Sequence, residues 1–148
     1  MQLKVGPLKL PHAAVLAPMS GITDQPFRRI VRLLGGGLVV SEMVASHAIL
    51  HSIKKEIRKL KFSSKKEAPF SIQLAGWEPA TMAEAAKIAE QLGASIIDIN
   101  LGCPAKKVTG KFSGSALMQA PKLVAEICSA IVNATNIPVT LKMRLGWD

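Results

Sequence analysis

Ile96-Ile97-Asp98-Ile99-Asn100-Leu101-Gly102-Cys103-Pro104 is a short apolar run that ends in a loop carrying one thiol. It is rich in Ile and follows Gly93-Ala94-Ser95, which favours a buried strand over a helix. Gly102 permits backbone angles that other residues avoid, and Pro104 prevents the strand from continuing. Asp98 and Asn100 share one face of this strand, Ile97 and Ile99 the other. A cysteine at the carboxyl end of a strand stands where α/β folds keep their chemistry.

Outward from this strand, strands and helices alternate. A strand over 13–17 ends at Pro18-Met19, and a helix over 26–34 follows, with Asp24 as its N-cap and Gly35-Gly36-Gly37 as its stop. The next strand covers 38–43, and a basic helical connection over 52–61 leads to a strand over 70–74. A helix starting at Pro79 places Met82, Ala85, Ala86, Ala89 and Leu92 on one face, and Gly93 ends it before the strand over 96–100. After the cysteine loop, a helix from Pro121 buries Leu123, Val124, Ile127, Ile131 and Ala134. Pro138 introduces the last strand, 139–144. Short connections between such elements imply parallel strands joined by right-handed crossovers.

Residue parity selects the fold class. Ser71 and Gln73 oppose Phe70, Ile72 and Leu74, while Thr140, Lys142 and Arg144 oppose Val139, Leu141 and Met143. An open doubly wound sheet would be apolar on both faces. One polar and one apolar face predict an α/β fold of the parallel (β/α)8 TIM-barrel type, with helices outside and polar residues converging inside. Such a barrel has eight strands in typically ~250 residues, so the five found here predict an incomplete one. Residues 1–148 are accordingly expected to be the N-terminal portion of a barrel domain.

The 148 residues are 49% hydrophobic and 20% charged, the composition of a globular chain. No apolar run approaches the ~20 residues that span a bilayer, and Pro7 and Pro11 interrupt the N-terminal stretch, so a cytoplasmic location is expected. Cys103 and Cys128 are the two cysteines; without paired spacing they support neither a disulfide framework nor a metal site. Cys128, beside Ile127 in an amphipathic helix, reads as a small buried core residue. His12, His47 and His51 are dispersed and suggest no triad. The net charge of +9, with cations clustered at Lys54, Lys55, Arg58, Lys59, Lys61, Lys65 and Lys66, would attract a polyanion or simply solvate a helix face. Aromatics make up 4% of the chain and Tyr is absent, which argues against base-stacking platforms.

Several residues can carry chemistry. Cys103 can donate a proton, attack an electrophile or pack. Lys142 points by parity into the same interior as Asn100 and Gln73, where a lysine needs an anion or acceptor. A ligand could supply it, or Asp98 or Glu42. Gln73 offers a donor and an acceptor, as a ring edge requires, and Pro18-Met19 can present backbone groups beside a flat ligand. Lys106, Lys107 and Lys111 flank the cysteine loop, either solvated or placed to hold phosphates while the thiol reaches a base. Gly35-Gly36-Gly37 follows a helix, the reverse of a dinucleotide fingerprint.

Ala17-Pro18-Met19-Ser20-Gly21-Ile22-Thr23-Asp24 with Pro26-Phe27-Arg28 resembles the first signature of the tRNA-dihydrouridine synthases. Val40-Ser41-Glu42-Met43, Gln73-Leu74-Ala75-Gly76 and Asp98 through Lys107 continue the resemblance in order. Gly114-Ser115-Ala116-Leu117 and Leu141-Lys142-Met143-Arg144-Leu145-Gly146-Trp147 complete it, with the bacterial B-type branch most similar. The resemblance implies an FMN-binding (β/α)8 barrel followed by a helical RNA-binding domain. It implies reduction of tRNA uridines to 5,6-dihydrouridine, with NADPH or NADH reducing the flavin. Cys103 would be the general acid that protonates uracil C5 while hydride reaches C6. Pro18, Met19, Ser20, Gln73 and Lys142 would contact FMN, with Asn100 near flavin and substrate; Lys142 would stabilise the anionic reduced flavin. Lys106, Lys107, Lys111 and Arg144 would meet tRNA, whose target base must leave its stack.

Thr109 stands where the B-type branch commonly has Asn, and Phe112 where Leu is usual; neither removes an obvious chemical group. The family's later strands, with an internal histidine and a Gly-Arg turn toward the FMN phosphate, are expected beyond this sequence, as is the RNA-binding domain. The segment alone is expected to bind FMN weakly and to be inactive. Two other readings remain at this point: an FMN-barrel oxidoreductase of the dihydroorotate-dehydrogenase type, and a non-catalytic basic RNA-binding fragment.

Overall fold

The computed structural model describes residues 3–51, 58–62 and 64–147. A two-stranded antiparallel hairpin, β1 (Lys4–Val5) and β2 (Leu8–Lys9), precedes the main sheet. The sheet then runs β3 (Val15–Leu16), β4 (Leu38–Val40), β5 (Val44–Ala45), β6 (Phe70–Ala75), β7 (Ile96–Leu101) and β8 (Val139–Met143). Helices α1 (Gln25–Leu33), α2 (Ser46–Leu50), α3 (Ser64–Glu67), α4 (Pro79–Gln91), α5 (Lys106–Thr109) and α6 (Pro121–Ala134) lie between them. Two 3-10 segments occupy Arg58–Leu60 and Gly114–Gln119.

Every pairing in the main sheet is parallel and the order is β3-β4-β6-β7-β8, which is the order along the chain. A doubly wound sheet reverses order at a switch point, whereas a barrel does not. Five consecutive positions of a (β/α)8-type barrel are therefore present among the described residues, β5 continuing β4 along β6. The core lies between sheet and helices. Ile72, Leu74, Ile97 and Ile99 pack against Met82, Ala85, Ala86 and Ala89 of α4 and Ile127 and Ile131 of α6. Small alanines on α4 let the two helices approach closely over the sheet.

The expected elements recur with several corrections. The strand over 38–43 is broken: pairing stops after Val40 and resumes at Val44. Ser41 causes the break, because its Oγ, not a main-chain carbonyl, accepts the Gln73 N–H at 3.0 Å, so β6 stays satisfied while the chain leaves the sheet. Leu92 caps α4 and is 46% exposed rather than facing the core. Cys128 is half-buried at the margin of the core, and burial pushes its thiol pKa up. On α6, Leu123, Val124 and Ala134 are only partly buried, while Ile127 and Ile131 are fully so. The helix expected over 52–61 falls mostly on 52–57, outside the described residues, and Arg58–Leu60 is a single 3-10 turn.

The hairpin escaped sequence analysis. Val5 and Leu8 pack with fully buried Leu10, Leu38 and Ile96, the last two being the first residues of β4 and β7. It thus closes the amino ends of the strands, opposite the cysteine loop.

Candidate active site

Strand register assembles the polar interior. Gln73 pairs with Asp98, Asp98 with Thr140, and Asn100 with Lys142, so one row of polar side chains crosses β6, β7 and β8 and a second crosses β7 and β8. The first row is tightly bonded. Asp98 Oδ1 accepts from Thr140 Oγ1 at 2.6 Å, and Oδ2 accepts from Gln73 Nε2 at 2.6 Å. Gln73 Oε1 in turn accepts from Asn100 Nδ2 at 2.8 Å. Burial pushes the Asp98 pKa above the ordinary carboxyl value, opposed by the bonds from Thr140 and Gln73 and by the charge of Lys142.

Asn100 connects this network to the thiol loop. Its Oδ1 accepts the backbone N–H of Gly102 at 3.3 Å and of Cys103 at 3.1 Å, folding the loop over the strand end. Ser115 N–H donates to the Cys103 carbonyl at 3.0 Å. Gly114 makes that approach possible: its φ is +61°, and a Cβ there would lie 2.6 Å from the Cys103 carbonyl oxygen. Arg144 Nε donates to the Gly102 carbonyl at 2.8 Å, a third tie on the same loop.

These residues surround a cavity of about 270 Å3 lined by Pro18, Ser20, Met43, Gln73, Asn100, Gly102, Cys103, Pro104 and Lys142. Six candidate residues from four separate strand ends thus meet in one place: Pro18, Ser20, Gln73, Asn100, Cys103 and Lys142. Met19 does not line the cavity; its N–H donates to Thr23 Oγ1 and its carbonyl accepts from Ile22 and Thr23 within the turn. Lys142 is exposed rather than enclosed, because β8 is an outer strand of the sheet. Glu42, one suggested partner for it, is instead bonded to the Gly21 N–H at 2.7 Å. Lys107 and Lys111 line a neighbouring cavity, while Lys106 is exposed and lines neither. A larger cavity of about 740 Å3, beside Asp24, Arg28 and Lys61, contains none of the candidate residues.

The donor set fits the ring system of FMN. Gln73 spends one N–H on Asp98 and one lone pair on Asn100, which leaves a donor and an acceptor on the same amide. Lys142 adds a cation, and Pro18 and Met43 add apolar walls. Cys103 borders the same space.

Residues 15–148 match the family model described as dihydrouridine synthase (Dus). The chain belongs to that family. It is 53% identical over 146 residues to the tRNA-dihydrouridine synthase B of Pseudomonas aeruginosa, covering 99% of this chain and 44% of that protein. It is 54% identical to a probable tRNA-dihydrouridine synthase of Rhodobacter capsulatus, covering all of this chain and 46% of the relative. This Dus-family chain thus spans less than half the length of these relatives. Among solved structures, histamine dehydrogenase from Rhizobium sp. 4-9 superimposes with a TM-score of 0.58 at 16% identity, over 95% of this chain and 33% of that one. That likeness concerns the fold.

Three features of this Dus-family chain escaped sequence reasoning. Thr140, not Lys142, is the second bonded partner of Asp98; the shared parity of Thr140 and Asp98 was the available signal. Arg28 and Glu67 form a buried ion pair at 2.9 Å, 39 positions apart, for which no local pattern exists. His47 and His51, expected to be dispersed, sit one helical turn apart with Nε2 atoms 3.1 Å from each other. Among the described residues no group of three or more His, Cys, Asp or Glu side chains converges, and no helix is long and apolar enough to cross a membrane.

Proposed function

We propose that this chain is the N-terminal portion of the FMN-binding barrel of a tRNA-dihydrouridine synthase, which reduces uridines of tRNA to 5,6-dihydrouridine with NADPH or NADH. The observation that carries the reading is the cavity in which Cys103 faces the same space as Gln73, Asn100 and Lys142. The names of the relatives and the family match support it. A tRNA substrate in turn implies work in the cytoplasm.

When bound, FMN supplies the hydride chemistry that links the nicotinamide to uracil C6. Gln73 offers a paired donor and acceptor to the pyrimidine edge of the ring system, its orientation held by Asp98 and Asn100. Lys142, which lines the same cavity, would supply positive charge to bound FMN and favour negative charge on it. Pro18 and Ser20 line the cavity from the turn after β3, and Met19 holds that turn through its bonds with Ile22 and Thr23. Cys103 Sγ–H delivers the proton to uracil C5, so hydride and proton together saturate the C5–C6 bond. The loop that carries the thiol is held by Asn100, Ser115 and Arg144, which fixes where the proton is offered. Lys106, Lys107, Lys111 and Arg144 supply the charge that draws the tRNA backbone toward the mouth.

Replacing the thiol tests the assignment. Cys103→Ala is expected to leave reduction of bound flavin by NADPH intact and to lower dihydrouridine formation by at least about 10²-fold, the usual worth of a positioned acid. Unchanged dihydrouridine formation would remove Cys103 from the mechanism.

A further inference from the structure

A second cavity, of about 390 Å3, adjoins the Cys103 cavity and shares Ser20 and Met43 with it. Its polar lining comes from separate parts of the chain. Lys59 belongs to the 3-10 turn Arg58–Leu60, Trp77 follows β6, Lys107 lies on α5, and Lys111 and Ser113 come just after α5. Trp77 keeps 42% of its surface exposed although indole is among the costliest groups to leave in water. Ser113 is 4% exposed, and its hydroxyl has no hydrogen-bond partner among the described residues. Buried hydroxyls are ordinarily bonded, so this one leaves a polar group in the cavity wall unsatisfied. An indole face, three ammonium groups and an unspent hydroxyl suit a ligand that is both aromatic and anionic. A nucleotide has that chemistry.

We propose that this cavity holds the nucleotide next to the target uridine, its base stacked on Trp77 and its phosphates met by Lys59, Lys107 and Lys111. The inference rests on the tRNA reading given under Proposed function and adds a subsite to it. A uridine that enters the Cys103 cavity leaves its stack, and its neighbour loses a stacking partner. Trp77 restores that partner at the position the neighbour must occupy, because the two cavities share a wall. The lysines restore the ion atmosphere that the backbone sheds on approach, and the net charge of +9 favours such an occupant over a cationic or neutral one.

The test uses the full-length, FMN-loaded enzyme and unmodified tRNA. Trp77→Ala is expected to raise the KM for tRNA roughly fivefold or more, the low end of the range for loss of one stacked base, with kcat, FMN content and NADPH-driven flavin reduction unchanged. Trp77→Phe, which keeps an aromatic face, should recover most of that loss. Joint replacement Lys107→Ala and Lys111→Ala should flatten the dependence of log binding on log salt by about 1.4, or ~0.7 for each phosphate left without its cation. An unchanged KM in Trp77→Ala would overturn the subsite. So would a fall in FMN content and thermal stability that Trp77→Phe does not rescue, since Trp77 would then be a packing residue. Cys103→Ala is assayed alongside. If uridine reduction is lost there while Trp77→Ala binds tRNA normally, the subsite fails and the enzyme reading stands; if reduction survives in Cys103→Ala, the enzyme reading fails on its own account.

Discussion

Asp98 sets the direction of the amides beside it. An ionised carboxylate only accepts, so the group that Gln73 turns toward it must be the NH2. Gln73 Oε1 then faces Asn100, whose NH2 fills it and whose Oδ1 is left for the N–H groups of Gly102 and Cys103. At the other end of the row those backbone groups can only donate, so both ends enforce the same polarity. This costs stability in a pH-dependent way. Burial raises the folded pKa of Asp98 above 3.8, so the native state holds its proton to higher pH than the unfolded chain does. Stability from this group is therefore fully present at low pH, and is lost as pH rises from about 3.8 through the folded value. Asp98→Asn can still accept from Gln73 and donate to Thr140 without burying a charge. In urea titrations across pH, the variant is expected to gain stability relative to the parent as pH rises through that window, with a constant difference above it. At this scale the sequence was informative about facing: parity alone put Gln73, Asp98, Asn100 and Thr140 on one side. It was silent on which of them bond, because that depends on register between strands, which no single strand encodes.

Elements are tied by one ion pair that local pattern cannot reveal. Arg28 of α1 is 1% exposed and donates to Glu67 Oε2 of α3 at 2.9 Å, to the Thr23 carbonyl at 2.9 Å and to the Lys61 carbonyl at 2.7 Å. Its guanidinium also lies 4.8 Å from the centre of the Phe70 ring, at the start of β6. One side chain thus joins α1, the segment before α3, and the sheet. Gln25 Nε2 at 3.2 Å and Arg29 Nε at 3.6 Å also meet Glu67 Oε1, so removing Arg28 costs less than breaking a buried pair outright, about 2–3 kcal/mol. Arg28→Ala is expected to lose that much in denaturant unfolding, and Arg28→Lys most of it, since an ammonium cannot reach three acceptors in a planar fork. Helix ends were more legible. Asp24 caps α1 as its side chain suggested, its Oδ1 accepting the Phe27 N–H at 3.0 Å. The hairpin of β1 and β2 was not, because strands of two residues are too short to display a period and Gly6-Pro7 reads as an interruption rather than a turn.

At the scale of the whole molecule, the sheet is a curved segment with two outer strands, β3 and β8. Apolar surface is exposed along both: Val15 at 47% and Met143 at 53%, with Leu33 and Leu34 at the end of α1 at 85% and 83%. A soluble barrel closes such edges with further strands and helices. The relatives it matches are more than twice its length. The barrel class was legible because polar and apolar residues alternate in three strands, a pattern that a doubly wound sheet would not tolerate. Trp77 was not, since an aromatic content of 4% says nothing about where a single indole stands. The proposed activity, saturation of uracil in tRNA at the Cys103 cavity, is directly measurable. Its most direct test incubates unmodified tRNA with the full-length, FMN-loaded enzyme and NADPH, followed by mass analysis of the released nucleosides. Uridine at specific positions is expected to gain one hydride and one proton; NADPH consumption with uridine left unchanged would contradict the claim.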